Sequence, residues 1–244
     1  MAVHNYGWTL GLTNFEVYLC ASSIRYYKAY LSFAGDKNAR RVCDVGGFWG
    51  VFPVTLKELG YDITMTETLQ YYSDAFGDLF KFIADRGVNI LDYDPFQPGV
   101  PIPGCFDVIT VMAVVEHYPH SLKYFIQNIM AMIHPGGTLY IEVPNIAYWP
   151  KRLNLLFGRT PLVPLKDIFT SEIPFIGHHH EFTISELRDL VQLAGLSLLS
   201  EDYFNYSPNN LPSLKTILRY PTRFLAFLLL KDTQELLAVV CQKT

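Results

Sequence analysis

The sequence predicts an α/β protein built on a doubly wound, mainly parallel sheet, and three observations predict it. The apolar run Arg41-Val42-Cys43-Asp44-Val45 passes into clustered glycines and then a helical pattern, as a parallel strand does when it enters a nucleotide-binding turn. A second run, Phe106 to Met112, is apolar enough to be buried on both faces. Strand and helix patterns alternate between and beyond these two runs, which is how parallel strands are connected.

Composition bounds the rest. The 244 residues are 50% hydrophobic and only 17% charged, which suits one globular domain with a sizeable core. The net charge of −4 and the lack of a Lys/Arg cluster argue against a nucleic-acid partner. Cys20, Cys43, Cys105 and Cys241 are scattered without metal-ligand spacing, so free thiols in a reducing compartment are expected. No basic stretch leads into an apolar run near residue 1, so no secretory signal is read and a cytoplasmic location is expected.

In chain order, Asn14 to Phe33 carries apolar residues at helical spacing and ends at Ala34-Gly35-Asp36, giving a helical cap over residues 1–39. In the glycine turn, Gly46, Gly47 and Gly50 let the backbone bend and let a ligand approach its N–H groups. Val51 to Leu59 follows as a helix with Pro53 in its first turn, so unpaired N–H groups face the ligand's anionic end. Tyr61 to Glu67 alternates as the second strand. Glu67 then lies at a strand's carboxyl end, about twenty residues past the glycines, where a carboxylate can accept ribose hydroxyls.

Ser73 to Arg86 reads as a helix with Phe76, Leu79, Phe80 and Ile83 on one face. Val88 to Leu91 is a short third strand running into Asp92-Tyr93-Asp94-Pro95, where an acid could bond an adenine amino group or simply start a turn. After the fourth strand come Glu116-His117 and a helix striped with Leu122, Phe125, Ile126, Ile129, Met130 and Ile133. His134-Pro135-Gly136-Gly137 ends that helix, and Thr138 to Val143 is the fifth strand.

Residues 146–182 form a long insert without a clean period, placed where a substrate lid would sit. Its end, Gly177-His178-His179-His180, precedes a Thr183-x-x-Glu186 capping box and a helix with Leu187, Leu190, Val191 and Ala194. Adjacent residues of an extended chain point to opposite sides, so the three histidines are not expected to share a metal ion. His117, His178 and His180 are instead candidate acceptor-side bases, since imidazole titrates near neutrality; structural hydrogen bonding is the competing reading. Leu196 to Phe204 and Glu235 to Gln242 read as strands six and seven.

Between those strands, residues 205–233 hold Leu214, Ile217, Leu218 and Phe224 to Leu230 with interspersed Lys and Arg. The run is too short to span a membrane and Pro221 interrupts it. It is read as packing on its own domain or on a second copy in a homodimer, with a basic amphipathic surface resting on a membrane as the alternative.

Together the glycine turn, Glu67, the Asp92/Asp94 pair, Glu116-His117 and His134-Pro135-Gly136-Gly137 resemble class I S-adenosylmethionine-dependent methyltransferases, in the small-molecule branch with a Glu-His pair after strand four. The resemblance runs from about Arg40 to Ser200 and through the final strand. It implies a Rossmann-like seven-stranded sheet in the order 3-2-1-4-5-7-6, with the last strand antiparallel. It also implies S-adenosylmethionine as cofactor: Asp44, Gly46, Gly47 and Gly50 holding its methionine part, Glu67 the ribose, Asp94 (or Asp92) the adenine, and Met112 the wall near the sulfonium. Phe48 departs from the pattern, standing where the family usually has glycine, so the turn must bend around it or use Gly47 instead.

The implied reaction is methyl transfer to a small-molecule or saccharide-like acceptor. Two alternatives are a non-catalytic scaffold binding a partner through residues 205–233, and a nicotinamide-dependent reductase. The reductase glycine pattern G-x-G-x-x-G is missing from the turn.

Overall fold

The computed structural model describes every residue except 1, 6–7, 12–14, 73–75, 120, 172–174 and 176, and for residues 2–18 and 71 the backbone alone. A hairpin of β1 (Ala2–Asn5) and β2 (Trp8–Gly11) precedes helix α1 (Phe15–Leu31). The expected helical cap therefore opens with strands, and Asn14 lies outside the described residues. Then follow β3 (Arg41–Val45), α2 (Val51–Glu58), β4 (Asp62–Glu67), α3 (Gly77–Asp85), β5 (Asn89–Asp92) and β6 (Phe106–Met112). Of the helix expected from Ser73, residues 73–75 lie outside the described residues. The second half comprises α4 (Lys123–Met132), β7 (Ile133–Pro144), α5 (Trp149–Leu156), α6 (Leu165–Thr170), α7 (Ile184–Leu193), β8 (Leu196–Phe204), α8 (Leu214–Arg219), α9 (Pro221–Leu229) and β9 (Leu236–Lys243).

Seven strands form one sheet in the order β5-β4-β3-β6-β7-β9-β8. Counted from β3, this is 3-2-1-4-5-7-6. β3 to β7 run parallel, and β9 is antiparallel to both of its neighbours. Alternation along the strands splits the core in two. Cys43, Ile109, Val111, Ile141 and Val239 face α4 and α7, which contribute Phe125, Ile129, Met132, Leu187 and Val191. Val42, Val108, Tyr140 and Ala238 face α1, α2 and α3, which contribute Ala29, Phe52, Leu56 and Ile83, with Phe33 added from the turn after α1.

Two local departures have plain causes. His134-Pro135-Gly136-Gly137 was expected to separate helix from strand, yet β7 already begins at Ile133. The ladder pairs Phe106 with Ile133 and then Val108 with Thr138, so the Pro-Gly-Gly stretch is looped out inside the strand. The insert after β7 holds α5 and α6, with Pro150 in the first turn of α5. Its apolar residues are mostly exposed, which explains why no inward-facing period could be read. Thr183 and Glu186 do form both halves of a capping box on α7.

Candidate active site

The glycine turn is built by three residues with positive φ: Gly46 (69°), Trp49 (77°) and Gly50 (66°). Phe48 needs no left-handed conformation, which settles how the chain passes it. Its ring joins a cluster with Trp49, Tyr72 and Phe76, with centroids 4.2, 4.8 and 5.2 Å away. Gly47 is held close instead: a Cβ there would lie 2.6 Å from Asp44 Oδ2 and 2.7 Å from Met65 Cγ. Gly47→Ala is expected to destabilise the turn by displacing Asp44 or Met65; a lowered Tm checks it, and an unchanged Tm contradicts it.

Asp44 is the penultimate residue of β3, on the same face of the strand as Val42. Its Oδ1 accepts a 2.6 Å hydrogen bond from Thr110 Oγ1 on the neighbouring strand, while Oδ2 is buried with no hydrogen-bond partner. Burial pushes its carboxyl up to about 7, against the Thr110 hydrogen bond and the charge of Arg25. Glu67 ends β4, and its Oε2 accepts from the Tyr72 hydroxyl at 2.7 Å. Its Oε1 is buried without a hydrogen bond of ordinary geometry, and burial pushes the group up to about 8, opposed first by Tyr72. These two unsatisfied buried oxygens, beside glycines that a Cβ would crowd, fit a ligand that brings an ammonium group and paired hydroxyls.

The adenine candidates separate. Asp92 pairs in register with Glu67 across β4 and β5, and its Oδ1 accepts from the Leu69 N–H at 3.0 Å. Asp94 spends both oxygens on its own turn, on Phe96 N–H at 2.9 Å and Gln97 Nε2 at 3.2 Å. Met112 is half-buried at the end of β6, followed by Ala113 in the left-handed region at φ 54°.

Across the strand ends lies a pair that sequence reasoning missed. Arg25 of α1 donates from Nε at 2.8 Å and Nη2 at 2.5 Å to Glu142 Oε1, with side chains 8% and 0% exposed. An arginine on an amphipathic helix gives no signal of this. Glu142 does: it is the one charge in the otherwise apolar Thr138 to Val143 run.

The acceptor side is built by two loops. The turn Val115–His117 carries fully buried Glu116, whose backbone carbonyl accepts from His179 N–H at 2.7 Å and so docks the histidine loop. Neither carboxylate oxygen of Glu116 meets another residue's hydrogen-bonding group, and burial pushes the acid up to about 7. His117 and His178 meet edge to face, with centroids 4.9 Å apart. His178 Nδ1 lies 2.9 Å from Glu181 Oε1, and Lys151 of α5 pairs with the other oxygen of Glu181. Burial raises the Glu181 carboxyl, but the bonds from His178 and Lys151 outweigh it and hold the group below its ordinary value.

His180 turns away to Glu186 Oε1 at 3.1 Å, and His179 to the Phe175 carbonyl. The consecutive histidines thus find separate partners, as an extended chain requires. The groups that do converge are Glu116, His117 and His178, with one ligand atom each within 4.8 Å of the others, a set of the type a divalent cation can use.

A parallel sheet with one antiparallel strand, a glycine turn after its first strand and acids at the next strand ends define the class of S-adenosylmethionine-dependent methyltransferases. The methyltransferase domain family matches residues 21–201, more than half of the chain, and the chain belongs to that family. It is 24% identical over 174 residues to a ubiquinone biosynthesis O-methyltransferase of Colwellia psychrerythraea, covering 69% of this chain and 65% of that one. To the protein of the same description from Burkholderia thailandensis it is 25% identical, covering 69% of each.

Two solved structures share the fold. One is a SAM-dependent methyltransferase from Archaeoglobus fulgidus (TM-score 0.59, 17% identity, 93% of this chain and 94% of that one). The other is a magnesium protoporphyrin IX methyltransferase from Synechocystis with bound S-adenosylhomocysteine (TM-score 0.60, 12% identity, 97% and 90%).

Proposed function

We propose that the protein moves a methyl group from S-adenosylmethionine to a hydroxyl of a small organic acceptor. The observation that carries this reading is the His178–Glu181 pair facing His117 and Glu116 beside the strand ends. A carboxylate on Nδ1 fixes the imidazole tautomer and leaves Nε2 with its lone pair, ready to take a hydroxyl proton. The O-methyltransferase description of the two curated relatives agrees with a hydroxyl acceptor.

When bound, S-adenosylmethionine supplies a methyl group already activated on a sulfonium. The chain's own residues hold and orient. Asp44 Oδ2 takes the ammonium group, Glu67 exchanges Tyr72 for ribose hydroxyls, and Gly46 and Gly47 permit close backbone approach. Asp92, in register with Glu67, takes the adenine amino group in preference to Asp94, whose oxygens are engaged. Met112 lines the wall beside the transferring carbon. His178 receives the proton while Glu181 and Lys151 hold its ring, so alignment at close range does most of the work. His117 lines the acceptor side, and His180 serves the cap of α7.

Calorimetric titration with S-adenosylhomocysteine, with NADH as control, tests the cofactor assignment. Binding of the first ligand alone is expected; binding of NADH alone overturns the reading. The ligand requires ionised Asp44 and Glu67, whose values burial raises to about 7 and about 8. Affinity is therefore expected to fall as pH drops from 8 to 6, by about tenfold per unit for each proton that must leave. A flat profile contradicts the assignment of these acids.

The same shifts set the ligand-free protein's stability. Between the ordinary carboxyl range and the raised values, the folded state holds protons that the unfolded chain has released. Raising the pH across that interval drains stability, so Tm without ligand falls from about pH 4 to pH 8.

A further inference from the structure

The two inserts leave one large apolar surface uncovered. Helix α5 ends in Leu155 and Leu156, followed by Phe157, exposed by 66%, 75% and 71%. Helix α9 presents Leu225, Leu228 and Leu229 while turning Ala226 inward, and α8 presents Leu214 and Leu218 one helical turn apart. α5 and α9 are locked side by side: Tyr148 stacks on Phe227, Arg152 pairs with Asp232 at 2.9 Å, and Trp149 N–H donates to the Thr233 carbonyl. Leucines that elsewhere in the chain build two buried cores here point together into solvent, far beyond the scattered exposure of an ordinary surface.

Charge says what covers them. Residues 205–233 carry Lys215, Arg219, Arg223 and Lys231 against a single acid, Asp232, which is spent on Arg152. Lys215, Arg219 and Lys231 are exposed beside the leucines, and Arg159 adds to them from the other insert, where Lys166 is offset by Asp167. The whole chain is net −4, so this face is positive on an acidic protein. An isologous second copy would set these cations against their own kind. A bilayer with anionic headgroups meets both requirements, taking the leucines below the headgroups and the cations at them. Among the described residues no helix is long and apolar enough to cross a membrane, so the helices would lie in the surface plane.

We infer that α8, α9 and the end of α5 form a docking face for an anionic lipid surface. The face also gives a place to a groove of about 460 Å³ between α1 and residues 206–211, lined by Ala21, Ile24, Tyr206, Pro208 and Leu211. Thr216 of α8 donates to the Leu211 carbonyl at 2.8 Å, so the groove opens beside the docking helices.

The test is co-sedimentation of the full chain with phosphatidylcholine vesicles containing or lacking phosphatidylserine. Binding only to the anionic vesicles, reduced by salt, is expected. Lys215→Glu/Arg219→Glu and Leu228→Glu should each lower it by about tenfold or more. Unchanged S-adenosylhomocysteine affinity in these variants shows that they fold, and that titration judges the cofactor separately. No binding to anionic vesicles at low salt, or binding that the substitutions leave intact, overturns the inference. So does a dimer in sedimentation velocity that Leu228→Glu dissociates.

Discussion

Replacing His178 by Asn is expected to lower kcat by about a thousandfold at saturating cofactor, with S-adenosylhomocysteine affinity unchanged. The imidazole is held by a carboxylate and set against His117 and Glu116. Its loss removes the proton acceptor and leaves Asp44 and Glu67 in place. Glu181→Gln should give a smaller loss of kcat, about tenfold, because the tautomer is then held less well. Steady-state kinetics with binding measured in parallel separates the outcomes. A rate that His178→Asn leaves unaltered would remove the histidine from the chemistry and point to an acceptor that is already a nucleophile. His180→Asn serves as a comparison, since its ring caps α7 from an exposed position.

The largest effect on stability is expected from Arg25→Met. Glu142 would keep its buried position with Oε1 stripped of two charged hydrogen bonds and Oε2 already without a partner. Leaving such a charge unpaired costs about 3–5 kcal/mol, which urea denaturation resolves. Adding Glu142→Met should recover most of the loss, since the unpaired charge then disappears with its partner. Recovery by the double variant is the informative result; two independent, additive losses would show that packing rather than charge is at stake. Arg25 also counters the upward shift of Asp44 and Glu116. The single variant should therefore bind S-adenosylhomocysteine more weakly at neutral pH even where it is folded.

The sheet was legible because its signals are local. Val42 and Cys43, or Tyr140 and Ile141, alternate between faces over a few residues, and Thr183 with Glu186 marks a helix start within four. The positions of Asp44 and Glu67 at the carboxyl ends of their strands were legible for the same reason, since the pattern of each strand can be read. What escaped depends on meetings between distant segments. Arg25 finds Glu142 across 117 positions, and Tyr72 reaches Glu67 from a turn with no periodic signature. The resemblance put Asp94 ahead of Asp92, but the turn at Asp94 uses both of its oxygens. The sequence offered His178 and His180 alike as acceptor-side candidates, but the loop docked on the Glu116 carbonyl sends His178 to Glu181 and His180 to Glu186. In the inserts, hydrophobic residues that face outward carry no inward period, so α5, α6, α8 and α9 could not be outlined.

The position of β9 bears on the order in which the molecule assembles. Residues 236–243 slot between β7 and β8, so β8 has no sheet neighbour until that final segment has left the ribosome. Until then β7 presents an open edge and the 205–233 insert is an unclosed loop, which makes pairing of the last two of the seven strands a late, long-range event. Synthesis slowed within this stretch would prolong a state with one exposed edge and an unanchored apolar helix pair, the species most open to aggregation or to chaperone capture.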